Sequence, residues 1–285
     1  MTEAQNPLSI RRILVAIDAS PQSVSAAEAA VGLAARLGAE LTGIFVEDID
    51  LLELANSPYA RQVVYPFAEQ TPMSRLGLES ELKAQSEQAR QALARAAEQS
   101  QVSWSFRTVR GDVATELLAA AAEADLLTIG RSGWSFGREF RIGSTTLKIV
   151  SGKSPVLLLS EQRMPENARL IVCYDGSTTA QKKLLIAAQL ACIGIEGLTI
   201  LLPTSDTSRI SQLKAEIGTL LAERKIEPQY KQVDPQDDIG LLHLLQSEKS
   251  GVLVIGEREL FGPNQQTFLQ AGLPLLLLDG ELQAD

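Results

Sequence analysis

Arg12-Ile13-Leu14-Val15-Ala16-Ile17-Asp18-Ala19-Ser20 recurs, in altered form, as Arg169-Leu170-Ile171-Val172-Cys173-Tyr174-Asp175-Gly176-Ser177. Each stretch is a short apolar run closed by Asp, a small residue and Ser. A run of this length with no polar alternation is what a parallel strand buried on both faces requires. In the first stretch Ser20 then offers a helix N-cap, and Pro21 suits the first helical position. Val24, Ala27, Val31, Ala34 and Leu37 follow at helical spacing, and Gly38 supplies the stop. Strand and helix in that order, met twice, decide the fold class.

The pattern extends outward from there. Leu41 to Val46 reads as a second strand, and Leu78, Leu82, Ala89, Leu93 and Ala96 mark a second helix. Val102, Trp104 and Phe106 alternate as a third strand. Asp112 caps a third helix ending near Glu123, and Leu126 to Ile129 is a fourth strand. Thr145 to Val150 predicts a short fourth helix before a final strand. In the second half, Gly251-Val252-Leu253-Val254-Ile255-Gly256 echoes Asp125 to Gly130, and both halves close on a Pro-led run, Pro155 to Leu159 and Pro274 to Leu278. The separation is far too long for a solenoid repeat, so the chain reads as a duplicated domain. The polar stretch from Glu161 to Asn167 is the natural linker, which gives domains at 1–160 and 161–285. Strands alternating with helices imply right-handed crossovers, hence an α/β fold of two tandem doubly wound, mostly parallel five-stranded sheets.

Composition narrows the function. The 285 residues carry a formal charge of −9, which leaves no basic excess to neutralise phosphates and excludes a nucleic-acid binder. Residues 1–160 hold 15 basic and 18 acidic side chains, net −3, and residues 161–285 hold 11 and 17, net −6. Two cysteines, Cys173 and Cys192, are too few for a disulfide scaffold and are read as buried apolar residues in a reducing compartment. The single histidine, His243, lies among leucines on an amphipathic helix; a His-rich metal site is excluded. The polar N-terminus carries no signal peptide, and no apolar run approaches the ~20 residues that span a bilayer, so the expectation is a cytoplasmic protein without membrane insertion.

The segment that carries chemistry follows the fourth strand: Gly130-Arg131-Ser132-Gly133, nine residues, then Gly143-Ser144-Thr145. Glycines let backbone approach an anion, and a helix starting near Ser144 would offer free N–H groups and its positive dipole end to phosphate. Arg131, Arg138 and Arg141 bring positive charge to this loop. In doubly wound sheets ligands bind at the carboxyl ends of strands, and both Asp18 and this loop leave such ends. An anion-binding loop beside a carboxylate is most simply a nucleotide site.

The spacing Gly-x2-Gly-x9-Gly-Ser between an apolar strand and a Pro-Val-Leu-Leu-Leu strand, with the opening Ile-Leu-Val-Ala-Ile-Asp-Ala-Ser, resembles the universal stress protein family. The likeness covers nearly the whole chain, as in tandem members. The resemblance implies ATP, AMP or ADP as ligand, with Mg2+ accompanying the phosphates. It sets Asp18 and Val46 near the adenine, and Gly130, Arg131, Gly133, Gly143, Ser144 and Thr145 around ribose and phosphates. It also implies that the closing strands, Leu157 to Leu159 and Leu275 to Leu278, pair within one chain; a homodimer of two chains is the further expectation. The second half departs from the pattern. Gly130 to Pro155 is 25 positions but Gly256 to Pro274 only 18, and Glu257 and Glu259 stand where phosphate would be repelled at short range. One nucleotide per chain is expected.

Some residues keep two readings. Asp18 serves a ligand or merely caps the first helix; Arg138 and Arg141 meet phosphate or line a solvated surface. The long connection Asp48 to Leu76, with Tyr59, Tyr65 and Phe67, is an insertion packed on its own domain with a short helix from Leu51 to Asn56, or a lid or docking surface for a protein partner. The functional expectation is a regulatory nucleotide binder with little or no turnover, since the loop offers no evident general base. The competing class is a nucleotide-independent adaptor docking a transporter or kinase. A ligase or synthetase is disfavoured, because no Ser-Gly-Gly loop follows the first strand and one histidine cannot make His-x-Gly-His.

Overall fold

In a computed structural model of the chain, residues 10–18, 20–64, 69–130, 156–159, 168–193, 197–224, 226–256, 259 and 264–278 are described. The first half runs β1 (Arg12–Ala16), α1 (Pro21–Leu37), β2 (Glu40–Asp48), α2 (Ile49–Leu54), β3 (Arg61–Val64), β4 (Glu69–Pro72), α3 (Arg75–Gln99), β5 (Trp104–Gly111), α4 (Val113–Ala121), β6 (Leu126–Gly130) and β7 (Val156–Leu159). The second runs β8 (Arg169–Cys173), α5 (Thr178–Ile193), β9 (Leu198–Leu202), α6 (Thr207–Leu221), β10 (Gln229–Gln232), α7 (Asp238–Ser247), β11 (Gly251–Gly256), α8 (Gln265–Gln270) and β12 (Leu275–Leu278).

Local chemistry explains the boundaries. Ser20 caps α1, its Oγ accepting the Ser23 N–H at 3.2 Å, and Pro21 follows it. Gly38 ends the helix at φ 61°, where an L side chain would be strained, and its N–H reaches Ala34 O. Asp112 caps α4 through the Thr115 N–H at 2.9 Å, as its position predicts. The third strand is longer than its apolar alternation suggested. It continues through Arg107 and Arg110 to Gly111 because it pairs with β2 in register from Leu41–Trp104 to Asp48–Gly111. The long connection holds α2, earlier than the Leu51–Asn56 helix read from sequence, and an unanticipated antiparallel hairpin of β3 and β4. Thr145 to Val150 and the linker 161–167 lie outside the described residues.

The strands lie in the order β5-β2-β1-β6-β7 followed by β12-β11-β8-β9-β10. Within each five the pairing is parallel, and each five alternates with helices as expected of tandem doubly wound sheets. The two sheets join edge to edge through an antiparallel seam, Leu275 opposite Leu158, Leu276 opposite Leu157 and Leu277 opposite Val156. Closing strands thus cover each other's edges, which would otherwise be templates for foreign strands. Side chains alternate along each strand. Ile13, Val15, Leu170 and Val172 join one apolar cluster, with α1, α3, α5 and α6. Leu14, Ile171, Leu253 and Leu275 join the other, with α4, α7 and α8. Each cluster is continuous across the seam, so both halves share a three-layer α/β/α core.

Candidate functional site

In each copy the strand order reverses beside the first strand: β1 leads through α1 to β2 on one side and has β6 on the other. Crevices at such reversals, at the carboxyl ends of strands, are where open α/β sheets bind ligands.

The first crevice is built from a wound turn. Ile17 extends the β1–β2 pairing, its N–H donating to Ile44 O at 3.0 Å. The chain then turns at Asp18, whose Oδ1 accepts the Ser20 N–H at 3.0 Å while its own N–H donates to Ser23 Oγ at 3.2 Å. Ser20, not Asp18, is the cap of α1; Asp18 braces the turn that delivers it. Half-buried Gly130 closes β6, the strand next to β1, opposite Leu159 of β7. Asp18 and Gly130 therefore leave neighbouring strands at the same edge of the sheet. Val46 is half-buried in β2, and counting on from the Ala16–Ile44 pair puts it level with Asp18. Arg131, Gly133, Arg138, Arg141, Gly143, Ser144 and Thr145 lie outside the described residues.

Beside this crevice stands an ionic lattice that sequence reading missed. Arg110, near the end of β5, meets Glu47 of β2 through Nε at 2.8 Å and Nη2 at 2.7 Å, and Glu79 of α3 at 3.6 Å. Arg75 bonds the same Glu79 at 3.3 Å and Asn56 at 3.3 Å. The lattice ties the long connection and α3 to the rim of the sheet. Arg75 and Glu79 stand four apart on α3, but Glu47 and Arg110 are distant in sequence and at no motif spacing, so the register of β2 and β5 is what reveals their meeting.

The second crevice repeats the turn: Asp175 Oδ1 accepts the Ser177 N–H at 2.8 Å, and Ser177 Oγ accepts the Ala180 N–H at 3.2 Å. Burial raises the Asp175 carboxyl, but the Ser177 hydroxyl and N–H, then Lys183, outweigh it and hold it below the usual carboxylate range. Beyond the turn the likeness stops. Lys183 of α5 is 5% exposed and forms an ion pair with Glu259. Glu259 Oε2 also accepts the Gly256 N–H at 2.7 Å. Of the two acids expected to repel phosphate, Glu259 is thus turned inward and neutralised, and Glu257 lies outside the described residues. The Cys173 thiol, at the end of β8, is pushed up to about 12 by burial and by Glu259, with Lys183 opposing.

His243 is exposed on α7 between the buried Leu241 and Leu245. Cys192 is also exposed, on the last turn of α5, contrary to the buried position expected; it falls on the solvent side of a helix whose inner face is Leu184, Ala187 and Ala188. Among the described residues no group of three His, Cys, Asp or Glu could hold a metal ion. Nor, among them, is any helix long and apolar enough to cross a membrane.

Comparison with known proteins places these features. The profile of the universal stress protein family matches residues 9–160. The crystal structure of a universal stress protein from Archaeoglobus fulgidus is similar over 95% of this chain and 97% of its own, with a TM-score of 0.70 at 16% identity. A functionally unknown protein from Pseudomonas aeruginosa is similar over 97% of this chain and 95% of its own, with a TM-score of 0.59 at 14% identity. A universal stress protein in complex with cAMP is 20% identical, covers 54% of this chain with 99% of its own, and has a TM-score of 0.37. That likeness is too slight for its ligand to be carried over. No match is found among curated proteins.

Proposed function

The chain belongs to the universal stress protein family, and on that premise we propose that its first half binds an adenine nucleotide as a regulatory, stress-response module. The observation that carries this is the juxtaposition of Asp18 and Gly130 at the reversal of strand order, with Gly130 opening the sequence Gly-x2-Gly-x9-Gly-Ser. Val46, level with Asp18, supplies a half-buried apolar surface suited to a base. Arg131, Gly133, Gly143, Ser144 and Thr145 would take ribose and phosphates through backbone N–H groups and hydroxyls. ATP is the proposed ligand, with AMP and ADP as its shorter forms. Mg2+ would accompany the phosphates and neutralise part of their charge.

Turnover is not part of the proposal. Asp18 Oδ1 is committed to the turn and His243 is in the other half, so neither is offered as a general base. The module acts in the cytoplasm as a homodimer, and nucleotide binding alters the surface it shows to a partner. The test is to purify the full chain, release any bound nucleotide for chromatography, and titrate ATP against thermal unfolding. At 100-fold above Kd, ATP should stabilise by about 2.7 kcal/mol; no co-purified nucleotide and no stabilisation would refute the reading.

A second reading draws on the exposed apolar side chains of the long connection and its flank, Leu54, Tyr59 at 87% and Leu76 at 80%. Residues 48–76 would then dock a transporter or kinase without any nucleotide. Gly143→Val with Ser144→Ala separates the two: an adaptor keeps its partner with the loop destroyed, a nucleotide-gated module does not.

A further inference from the structure

The two copies differ at a pair of positions that meet in space in the second. Superposing the repeats by sequence sets Lys183 at the place of Ala26, and Glu259 at the place of Gly133, three residues past Gly256 and Gly130 respectively. Ala26 is fully buried on α1, and Lys183 is almost fully buried on α5. An alanine and a glycine in the first copy thus correspond to an oppositely charged pair in the second.

The geometry of that pair is the geometry of a bound anion. The Glu259 carboxylate takes the Lys183 ammonium on Oε1 and the Gly256 N–H on Oε2, the latter at 2.7 Å. Both donors stand at the carboxyl end of β11, beside the reversal of strand order in the second sheet. The lysine stem runs past the same glycine, so a Cβ at Gly256 would lie 3.9 Å from Lys183 Cδ and 3.6 Å from Glu259 Oε2. Cys173, whose thiol feels both charges, marks the neighbouring end of β8. A backbone N–H and an ammonium converging on one oxyanion are donors as suited to phosphate as to carboxylate.

We propose that the second copy retains an anion subsite, formed by Lys183 and the Gly256 N–H, which the chain's own Glu259 fills as a tethered occupant. The intact protein is therefore closed to ligands at this crevice, and removal of the Glu259 carboxylate opens it to a small oxyanion such as inorganic phosphate. A buried ammonium tolerates the loss of its counter-charge poorly, which makes the exogenous anion a stabiliser. The proposal stands on the repeat and the ion pair, not on nucleotide binding by the first copy.

The test is thermal unfolding of the full chain with and without inorganic phosphate, ionic strength being held with chloride. Glu259→Ala should melt lower than wild type and gain more from phosphate than wild type gains. Lys183→Met combined with Glu259→Ala should recover part of the lost Tm and show no extra gain. Glu259→Gln, which keeps the volume and removes the charge, should melt lower and show no extra gain. The proposal is overturned if Glu259→Ala gains no more than wild type, if the double variant gains equally, or if Glu259→Ala stays unfolded even in phosphate. Failure of wild type to bind ATP would sink the proposed function and leave these outcomes unchanged.

Discussion

The two halves share a strand order, a wound Asp-small-Ser turn and a helix cap, yet they differ at a buried position of the helix that follows the turn. In the first, Asp18 and Ser20 wind the turn, and position 26 on α1, fully buried, is an alanine. In the second, Asp175 and Ser177 wind it, and a buried lysine meets an acid from beyond β11. A second difference lies under the helices. Register sets Gly43 opposite Val15 in the first sheet and Ile200 opposite Val172 in the second. The glycine lets Leu93 of the 25-residue α3 come close to β2, where the second copy has the shorter α6 of 15 residues. Duplicated scaffolds keep the elements that set the strand ends and diverge where side chains fill the space above them.

Several substitutions would break or sharpen that contrast. Ala26→Lys moves the second copy's cation into the first without its acid. An uncompensated buried charge should cost about 3–5 kcal/mol, read by urea unfolding. A cost below about 1 kcal/mol would show that the two crevices are not comparable. Adding Gly133→Glu should recover part of the loss and abolish ATP binding.

Gly43→Ala comes next. Its new Cβ would stand 2.5 Å from Leu93 Cδ2 and 2.8 Å from Phe106 Cδ2, so overpacking of about 1–3 kcal/mol is expected in the midpoint of chemical unfolding. Ser20→Ala and Ser177→Ala should each cost about 1 kcal/mol as lost caps. Only the first should also weaken ATP, measured by calorimetry, because Ser20 is bound into the turn that holds Asp18.

A smaller effect concerns acid. A carboxyl held below its ordinary value in the folded state adds stability that is complete above the unfolded value of roughly 3.9 and is lost as pH falls through the folded one. Asp175 is such a group. Stability should thus decline below about pH 4, and Asp175→Asn should flatten that decline in urea titrations across pH. The least perturbing test is alkylation at neutral pH. Exposed Cys192 should react first, while Cys173, its thiol pushed up to about 12, should lag by mass spectrometry.

Much of this was readable in the sequence, for local reasons. β1, α1 and its stop were set by an apolar run, Ser20-Pro21 and Gly38, all of which act within one turn of the chain. The pairing of the closing strands followed from the family resemblance and from their apolar faces. The β3–β4 hairpin was not anticipated, because its strands are only four residues each and show no apolar alternation. Cys192 was misplaced because a helix period fixes its face only when the packing partner is known. Of the candidate site, Asp18 and Gly130 stand at neighbouring strand ends, as strand-end logic expected of them; Val46, named only through the resemblance, lies level with Asp18, and the remaining loop residues lie outside the described residues.

By itself the sequence determined a tandem α/β chain, a phosphate-type glycine spacing in one half and its loss in the other, because each depends on residues near one another along the chain. Only the tertiary structure decided how the second crevice is closed. Lys183 and Glu259 are 76 positions apart; Glu259 alone reads as an acid set against phosphate, and nothing in the sequence pairs it with Lys183. What joins them is the placement of α5 over the end of β11, where burial forces a cation to find the nearest carboxylate.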